Sequence, residues 1–416
     1  MLGPLEGLKI LDCGRWMMAP SCARMLADLG ADVIKIEDRV KGDPMRGLAQ
    51  VTQGQTLPRA AATPSAGEAR ANANTAFYIS NRNKKSIGVD LTKGRGRDIV
   101  YRLIEKADVL LHSWRPRAAK KLGMDFETVA KYNPRLIYVA ASGWGPEGPE
   151  SEEAAMDGAA LARAGMMYLW GSPDMPPVQS FAGLADMTGA TTMTVAVLSA
   201  LLARDRGAPG QKVDVSLLGS LVALEAPSLQ LQLTRGWEGS RVDRARAWNP
   251  LNTYYRCADD KWVLLCMLQA DRYWYKMCQI LGIPELEQDP RFDSMLVRAQ
   301  NAEELITILD TIFSSKPRAE WVRRFKEEDM IFAPVQTIAE VIDDPQVVAN
   351  DYIVDFDHGE WGKARTVGIP YRFGDTPVLA LGMQAPEFAQ HTEEILLEMG
   401  YTWEEIAHLK DEEVIT

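Results

Sequence analysis

The sequence is poor in the residues that most often announce a chemistry. It has four histidines in 416 residues (His112, His358, His391, His408), too scattered for a His-based metal site or a serine-type triad. The five cysteines (Cys13, Cys22, Cys257, Cys266, Cys278) are odd in number and include no Cys-x-x-Cys pair. That usage fits free thiols in a reducing compartment, so a cytoplasmic protein is expected. The first residues, Met-Leu-Gly-Pro-Leu-Glu, have neither the basic region nor the apolar run of a signal peptide. The longest uncharged segment, Met187 to Ala203, is too rich in Thr and Ser for a membrane span and reads as a buried helix. Positive charge is also short, with 46 basic against 57 acidic residues and a net charge of −11. A nucleic-acid or membrane partner is therefore not expected. Gly-x-x-x-x-Gly-Lys-Ser/Thr and Gly-x-Ser-x-Gly are both missing, which removes P-loop and nucleophile-elbow chemistry.

What is present is an ordinary globular composition, 46% hydrophobic and 25% charged, on a chain long enough for two or three domains. The first forty residues read as βαβ: a strand at Leu8–Asp12, a helix at Pro20–Leu29 with Gly30 past its end, and a strand at Asp32–Glu37. Glu37 falls where a dinucleotide-binding acid would stand. The preceding turn, Cys13-Gly14-Arg15-Trp16-Met17-Met18, lacks Gly-x-Gly-x-x-Gly, so NAD is not expected. Residues 48–75 have no periodicity and read as a surface excursion. Helix and strand then alternate: a helix near 95–106, a strand at Val109–His112, a helix near Phe126–Tyr132 and a strand at Leu136–Ala141. Helical stretches follow near 154–169 and 186–204, then a strand at Lys212–Ser216 and a helical run to about Leu233. This alternation predicts an α/β, Rossmann-like parallel sheet.

From Arg241 the character changes to an aromatic-rich stretch, with a hairpin around Ala258–Lys261, as in a smaller α+β domain. The expected division is a large domain over 1–205, completed by about 370–416. A linker spans 206–240, a small domain 241–342 and a return linker 343–369. Two helices close the tail, the second capped by Thr402 with Glu405 three residues on.

With histidine and cysteine chemistry set aside, carboxylates remain. Asp174 lies in Gly171-Ser172-Pro173-Asp174-Met175-Pro176-Pro177, where prolines on both sides restrict the backbone and hold the carboxylate in place. Asp between prolines is also a common turn residue, and the motif alone does not separate the two readings. Between Asn81 and Arg135 the otherwise acidic chain carries thirteen Lys and Arg, including Arg115 and Lys121. That excess suits either a phosphate-bearing small ligand or a solvated face.

Pro4-Leu5-Glu6-Gly7-Leu8-Lys9-Ile10-Leu11-Asp12, residues 27–37 (Ala-Asp-Leu-Gly-Ala-Asp-Val-Ile-Lys-Ile-Glu) and Gly42-Asp43-Pro44-Met45-Arg46-Gly47 open the chain in that order. Asn83-Lys84-Lys85-Ser86-Ile87, Asn133-Pro134-Arg135-Leu136-Ile137-Tyr138, residues 210–218 and His391-Thr392-Glu393-Glu394-Ile395-Leu396 follow. This order of segments resembles the class III CoA-transferase family. The resemblance implies a transferase with Asp174 as nucleophile, passing through acyl-aspartyl anhydride and aspartyl-CoA thioester intermediates. It also implies acyl-CoA and an organic acid as substrates, with no permanently bound cofactor and no metal.

By the same resemblance, Arg15, Trp16 and Met17 lie beside the pantetheine or acyl end, and Arg39 approaches the phosphates. Val89 lines the adenine pocket, Trp114 packs on the adenine with Arg115 nearby, and Lys121 reaches a phosphate. An interlocked dimer is implied, either a homodimer or a heteromer with a related subunit. Asp38 stands where the family often has Arg, Ser113 where Asn is common, and Met156-Asp157 where racemases of the family carry His-Asp. The missing His counts against a racemase using Asp157 and Asp186. The alternatives left open are that racemase and a non-catalytic CoA-binding subunit. No glycine-rich loop lies near Trp248–Tyr255, so formyl and oxalate substrates are not expected. The Ser113-Trp114-Arg115 and Asn249-Pro250-Leu251 stretches are closer to the branch acting on larger hydroxy or aryl acids.

Overall fold

The computed structural model describes residues 3–47, 51–52, 55–56, 74–181, 183–237, 239, 241–358, 362–376, 378, 382 and 384–416. Most of the 48–75 excursion lies outside the described residues. The chain folds as two compact units. The first comprises residues 1–167, 179–237 and 351–416, and the second 168–178 and 238–350.

The first unit is built on six parallel strands: β1 (Lys9–Cys13), β2 (Asp32–Asp38), β3 (Lys85–Val89), β4 (Val109–His112), β5 (Ile137–Ser142) and β6 (Gln211–Ser216). Their spatial order is β3-β2-β1-β4-β5-β6. Consecutive strands run outward from β1 one way and from β4 the other, so the order reverses between these two neighbours. In open α/β sheets such a reversal leaves a crevice at the carboxyl ends of the strands.

Helix α1 (Met18–Asp28) links β1 to β2, and α2 (Thr75–Asn81) precedes β3. Helix α3 (Gly94–Ile104) links β3 to β4. The inner strands are buried on both faces, which is why Ile10-Leu11, Val109-Leu110-Leu111 and Ile137-Tyr138-Val139 read as continuous apolar runs and not as alternation. The two tail helices, Thr392–Glu398 and Trp403–Asp411, complete the core under β3, with Ile395, Leu396, Ile406 and Leu409 buried beside Ile87 and Val89. Thr402 and Glu405 form both arms of a capping box.

Residues 206–237 of the span expected as a linker belong to the first unit. They contain β6 and two consecutive helices, Leu217–Leu224 and Ala226–Arg235, which meet at Glu225. The 351–369 part of the expected return linker also belongs to the first unit, where Ile353–Asp357 pairs with Lys363–Val367 as a hairpin. Residues 343–350 go with the second unit, as does the short segment 168–178. Contacts distant in sequence decide these memberships, and no composition change marks them.

One such contact is ionic. Arg82 is 1% exposed, as is Asp28. Its Nε and Nη2 donate to the two Asp28 carboxylate oxygens at 3.1 and 2.8 Å, and its Nη1 donates to the Val367 carbonyl at 2.7 Å. One side chain thereby ties the end of α1 to the 353–367 hairpin.

The second unit has a three-stranded antiparallel sheet, with Trp262–Leu265 between Tyr254–Arg256 and Phe332–Val335. The Ala258–Lys261 hairpin joins the first two of these strands. Helices Ala270–Leu281, Ala302–Phe313 and Arg318–Glu327 cover the sheet around Tyr255, Trp274, Phe313, Trp321 and Phe325.

Arg82→Met should cost about 1–3 kcal/mol, because Asp28 keeps Arg24 and Asn83 as partners but loses both Arg82 hydrogen bonds, and the Val367 carbonyl loses its donor. Chemical denaturation measures this. A loss under about 1 kcal/mol, the scale of an exposed pair, would contradict the role given to Arg82.

Candidate active site

A cavity opens at the carboxyl ends of four parallel strands. Its lining includes Cys13 at the end of β1 with Gly14 and Arg15 after it, and Glu37 and Asp38 at the end of β2. Val89 at the end of β3 contributes with Asp90, Leu91 and Thr92 after it, and Trp114 follows β4. This is where the strand order places a ligand crevice.

The loop after β1 is held from below by buried charges. Asp12, Lys35 and Lys84 are all 0% exposed. Asp12 Oδ1 accepts the Gly14 N–H at 2.8 Å, and Asp12 Oδ2 accepts from Lys84 Nζ at 2.7 Å. Lys84 Nζ also donates to the Pro20 carbonyl and to Asn81 Oδ1. Lys35 Nζ donates to the Gly14 carbonyl at 3.0 Å and forms an ion pair with Asp43 Oδ2 at 2.8 Å. Asp43 Oδ1 accepts the backbone N–H of Trp16 at 3.2 Å and of Met45 at 3.0 Å. Arg15 N–H donates to Ser113 Oγ at 2.9 Å.

Three successive loop residues are thus fixed by side chains from β1, β2, the Gly42–Gly47 turn and the residue after β4. Trp16 takes φ of 65°, a left-handed conformation that costs a non-glycine residue about 1–2 kcal/mol, and these contacts hold it there. Gly14 has no room for a side chain, since a Cβ would lie within 2.9 Å of Ala19, Asp12 and Pro20 atoms.

Burial sets the protonation of this region. It pushes the Lys84 ammonium down to about 8, although the Asp12 charge opposes it. His112, stacked on Trp114 with ring centroids 5.1 Å apart, is pushed down to about 3 by burial and by the Lys212 charge. It is neutral at physiological pH, and its Nδ1 accepts the Trp114 N–H at 3.1 Å. Burial would raise the Glu37 carboxyl, but the Arg46 hydrogen bond and the Lys35 and Arg46 charges hold it below its ordinary value. Glu37 accepts from Arg46 Nε and Nη2, Ser86 Oγ and the Asp43 N–H. With both oxygens engaged, it is a structural acid and not a ribose holder.

Of the residues expected to contact CoA, Arg15, Val89 and Trp114 come together in the cavity lining. Trp16, Met17, Arg39, Arg115 and Lys121 are not among its walls. Met17 places its sulfur 2.9 Å from where a Cβ on Gly183 would sit, at the start of the helix Leu184–Asp205. Arg39 forms an ion pair with Glu413 at 3.3 Å. Arg115 and Lys121 are exposed, at the start and in the last turn of the helix Pro116–Leu122. Asp174 lies in the second unit, exposed on a turn closed by the Met175 N–H donating to the Ser172 carbonyl at 3.1 Å.

Sequence reasoning missed the loop-holding roles of Lys35 and Asp43 and the place of Asp90 in the cavity lining. A lysine inside the apolar strand Asp32–Asp38 was the available signal, since a charge on a buried strand needs a partner. Among the described residues, no group of three His, Cys, Asp or Glu side chains could hold a metal ion.

The family model for CoA-transferase family III matches residues 5–392, and the chain belongs to that family. An acyl-CoA transferase of Fusarium pseudograminearum is 34% identical, covering 99% of this chain and 88% of that protein. The cinnamoyl-CoA:phenyllactate CoA-transferase of Clostridium sporogenes is 30% identical over 99% of this chain and 97% of its own length. A solved CAIB/BAIF family protein from Brucella suis superposes with a TM-score of 0.82 at 28% identity, covering 96% of this chain and 100% of that one.

A pair of carboxyl groups, Asp157 and Asp186, lies in the first unit. Asp157 Oδ1 accepts the backbone N–H groups of Ala185 and Asp186 at 2.7 and 3.1 Å, and so caps the helix Leu184–Asp205. Burial, then the Asp157 charge, push the Asp186 carboxyl up to about 7, against a Met18 backbone hydrogen bond. The folded chain then holds a proton on Asp186 that the unfolded chain has released. This contribution to stability is present in acid and is lost as pH rises through about 7. Between about pH 5 and about pH 8, wild-type stability should fall relative to Asp186→Asn, measured by denaturant midpoints. Parallel pH profiles would contradict it.

Proposed function

We propose that this chain moves CoA from an acyl-CoA donor to an organic carboxylic acid, with Asp174 as the covalent nucleophile. The observation that carries the reading is the Asp174 turn: an exposed carboxylate between Pro173 and Pro176-Pro177, at the position of the nucleophile in the family to which the chain belongs.

The route balances in four displacements. An Asp174 oxygen attacks the thioester carbonyl, the C–S bond breaks, and CoA leaves as thiolate from a mixed anhydride. The thiolate attacks the aspartyl carbonyl, releasing the donor acid as carboxylate and leaving an aspartyl-CoA thioester. The acceptor carboxylate attacks that thioester, forming a second anhydride and freeing CoA thiolate again. Attack of the thiolate on the acceptor carbonyl yields the new acyl-CoA and restores the Asp174 carboxylate. Every step transfers an acyl group between oxygen and sulfur, so backbone N–H donors at the developing oxyanions would supply the main stabilisation.

CoA is assigned to the cavity of the first unit, with Val89 and Trp114 toward the adenine and Arg15, Trp16 and Met17 toward the pantetheine. Arg39, Arg115 and Lys121 are assigned to the phosphates. No permanently bound cofactor or metal enters the route. The cinnamoyl-CoA and phenyllactate named for the Clostridium relative support larger aryl or hydroxy acids as the first substrates to test.

The active form is read as an interlocked homodimer, or a heteromer with a related subunit. Helix Ala226–Arg235 buries none of its residues, and Val195, Leu202, Leu224 and Leu233 are exposed on the first unit. Apolar surface of this extent supports a partner chain.

Asp174→Ala should lower CoA transfer on the order of 10⁴-fold or more, as loss of a nucleophile does, while CoA affinity by calorimetry stays within about threefold, under 1 kcal/mol. Undiminished turnover in this variant would overturn the nucleophile. Solvent deuterium entering the acyl α-carbon without CoA transfer would favour the racemase reading.

A further inference from the structure

The segment that carries Asp174 has few hydrogen bonds of its own, the Ser172 N–H reaching only the Met175 sulfur at 3.5 Å. Between Ser172 and Val178, the residues Pro173, Pro176 and Pro177 have no backbone N–H to donate. The Met175 N–H is spent within the turn on the Ser172 carbonyl. Residues 171–177 are exposed, outside any helix or strand. A nucleophile needs its geometry fixed to within a fraction of an ångström, so donors must come from elsewhere in the chain.

They come from Arg241. Its Nε donates to the Tyr168 carbonyl at 3.2 Å, and its Nη1 donates to the carbonyls of Ser172, at 3.3 Å, and Met175. The guanidinium carbon also lies 5.9 Å from the Tyr168 ring centroid. The two Nη1 bonds reach both flanks of Asp174, and the Nε bond secures the chain where it enters the segment. All these residues belong to the second unit.

Arg241 stands on firm ground. Three residues on, Arg244 makes a two-pronged pair with Asp310 at 2.9 and 2.6 Å and lies over the Tyr255 ring at 4.8 Å. Tyr255 is 0% exposed in the core of this unit. Asp243 closes the intervening turn by accepting the Ala245 N–H. A rigid core thus reaches the Asp174 turn through one charged fork.

We infer that Arg241 is the positioning residue of the proposed transfer reaction, clamping the carbonyls on either side of Asp174 so that the carboxylate meets the thioester in one orientation. The inference rests on Asp174 being the nucleophile. Lysine cannot replace it, because an ammonium is a point donor without the planar fork that reaches three carbonyls.

Three linked measurements test it on full-length protein: steady-state kinetics, trapping of the Asp174 thioester with hydroxylamine, and amide exchange. Arg241→Ala should lower kcat about 10²-fold, the scale of a misplaced reacting group, with the KM for the CoA thioester little changed. Millimolar ethylguanidinium should restore much of that loss in Arg241→Ala. Arg241→Lys should stay impaired yet folded, and Met175 amide exchange should accelerate in both variants while the Tyr255 core stays protected. Unchanged kcat in a folded Arg241→Ala, or a loss confined to KM, overturns the positioning role. Wild-type turnover with no trapped Asp174 overturns the nucleophile first, and the positioning claim falls with it.

Discussion

Two lysines and two aspartates, all at most 2% exposed, lie beneath the loop that follows β1, and the cavity depends on how they neutralise one another. Removing a charge from water costs several kcal/mol even after relaxation. Lys35, Lys84, Asp12 and Asp43 are kept there because each satisfies another and also binds the backbone of the loop or its flanks. The result is a loop with few alternatives. Gly14 is held at both its N–H and its carbonyl, Arg15 by Ser113, and Trp16 in a strained conformation by Asp43. A site built this way is organised before its ligand arrives, and little binding energy goes into ordering it.

The same economy of donors recurs in the second unit. Where the first unit spends lysines and aspartates on a glycine-containing loop, the second spends one guanidinium on a proline-rich one. Both loops are short of internal hydrogen bonds, and both are fixed by charged side chains anchored in a packed core. The cavity lies at the carboxyl ends of the parallel sheet, and the turn of the proposed nucleophile belongs to the second unit.

Much of the fold was legible because its signals are local. The βαβ start, the Val109–His112 strand and the Thr402–Glu405 capping box each depend on a few adjacent residues. The helical run to about Leu233 is two helices, with the break at Glu225 just before Pro227 in the first turn of the second, where a proline without an N–H is tolerated. The site was legible only in part. Val89 and Trp114, named from the family resemblance, lie in the cavity lining, whereas Lys35 signals only that a charge on a buried strand needs a partner, and that partner, Asp43, lies beyond the end of β2. Arg241 lies 73 positions from Tyr168 and 66 from Met175, and no periodicity connects residues so far apart.

The most direct test of the central claim is peptide mass spectrometry after incubation with a panel of acyl-CoA esters and hydroxylamine or borohydride. The tryptic peptide from Ala164 to Arg204 carries only two side-chain carboxylates, Asp174 and Asp186. A mass change confined to Asp174, and dependent on the CoA ester, is the expected result. An unmodified peptide across a panel that the enzyme turns over, or a label on Asp186 alone, would contradict the covalent route through Asp174.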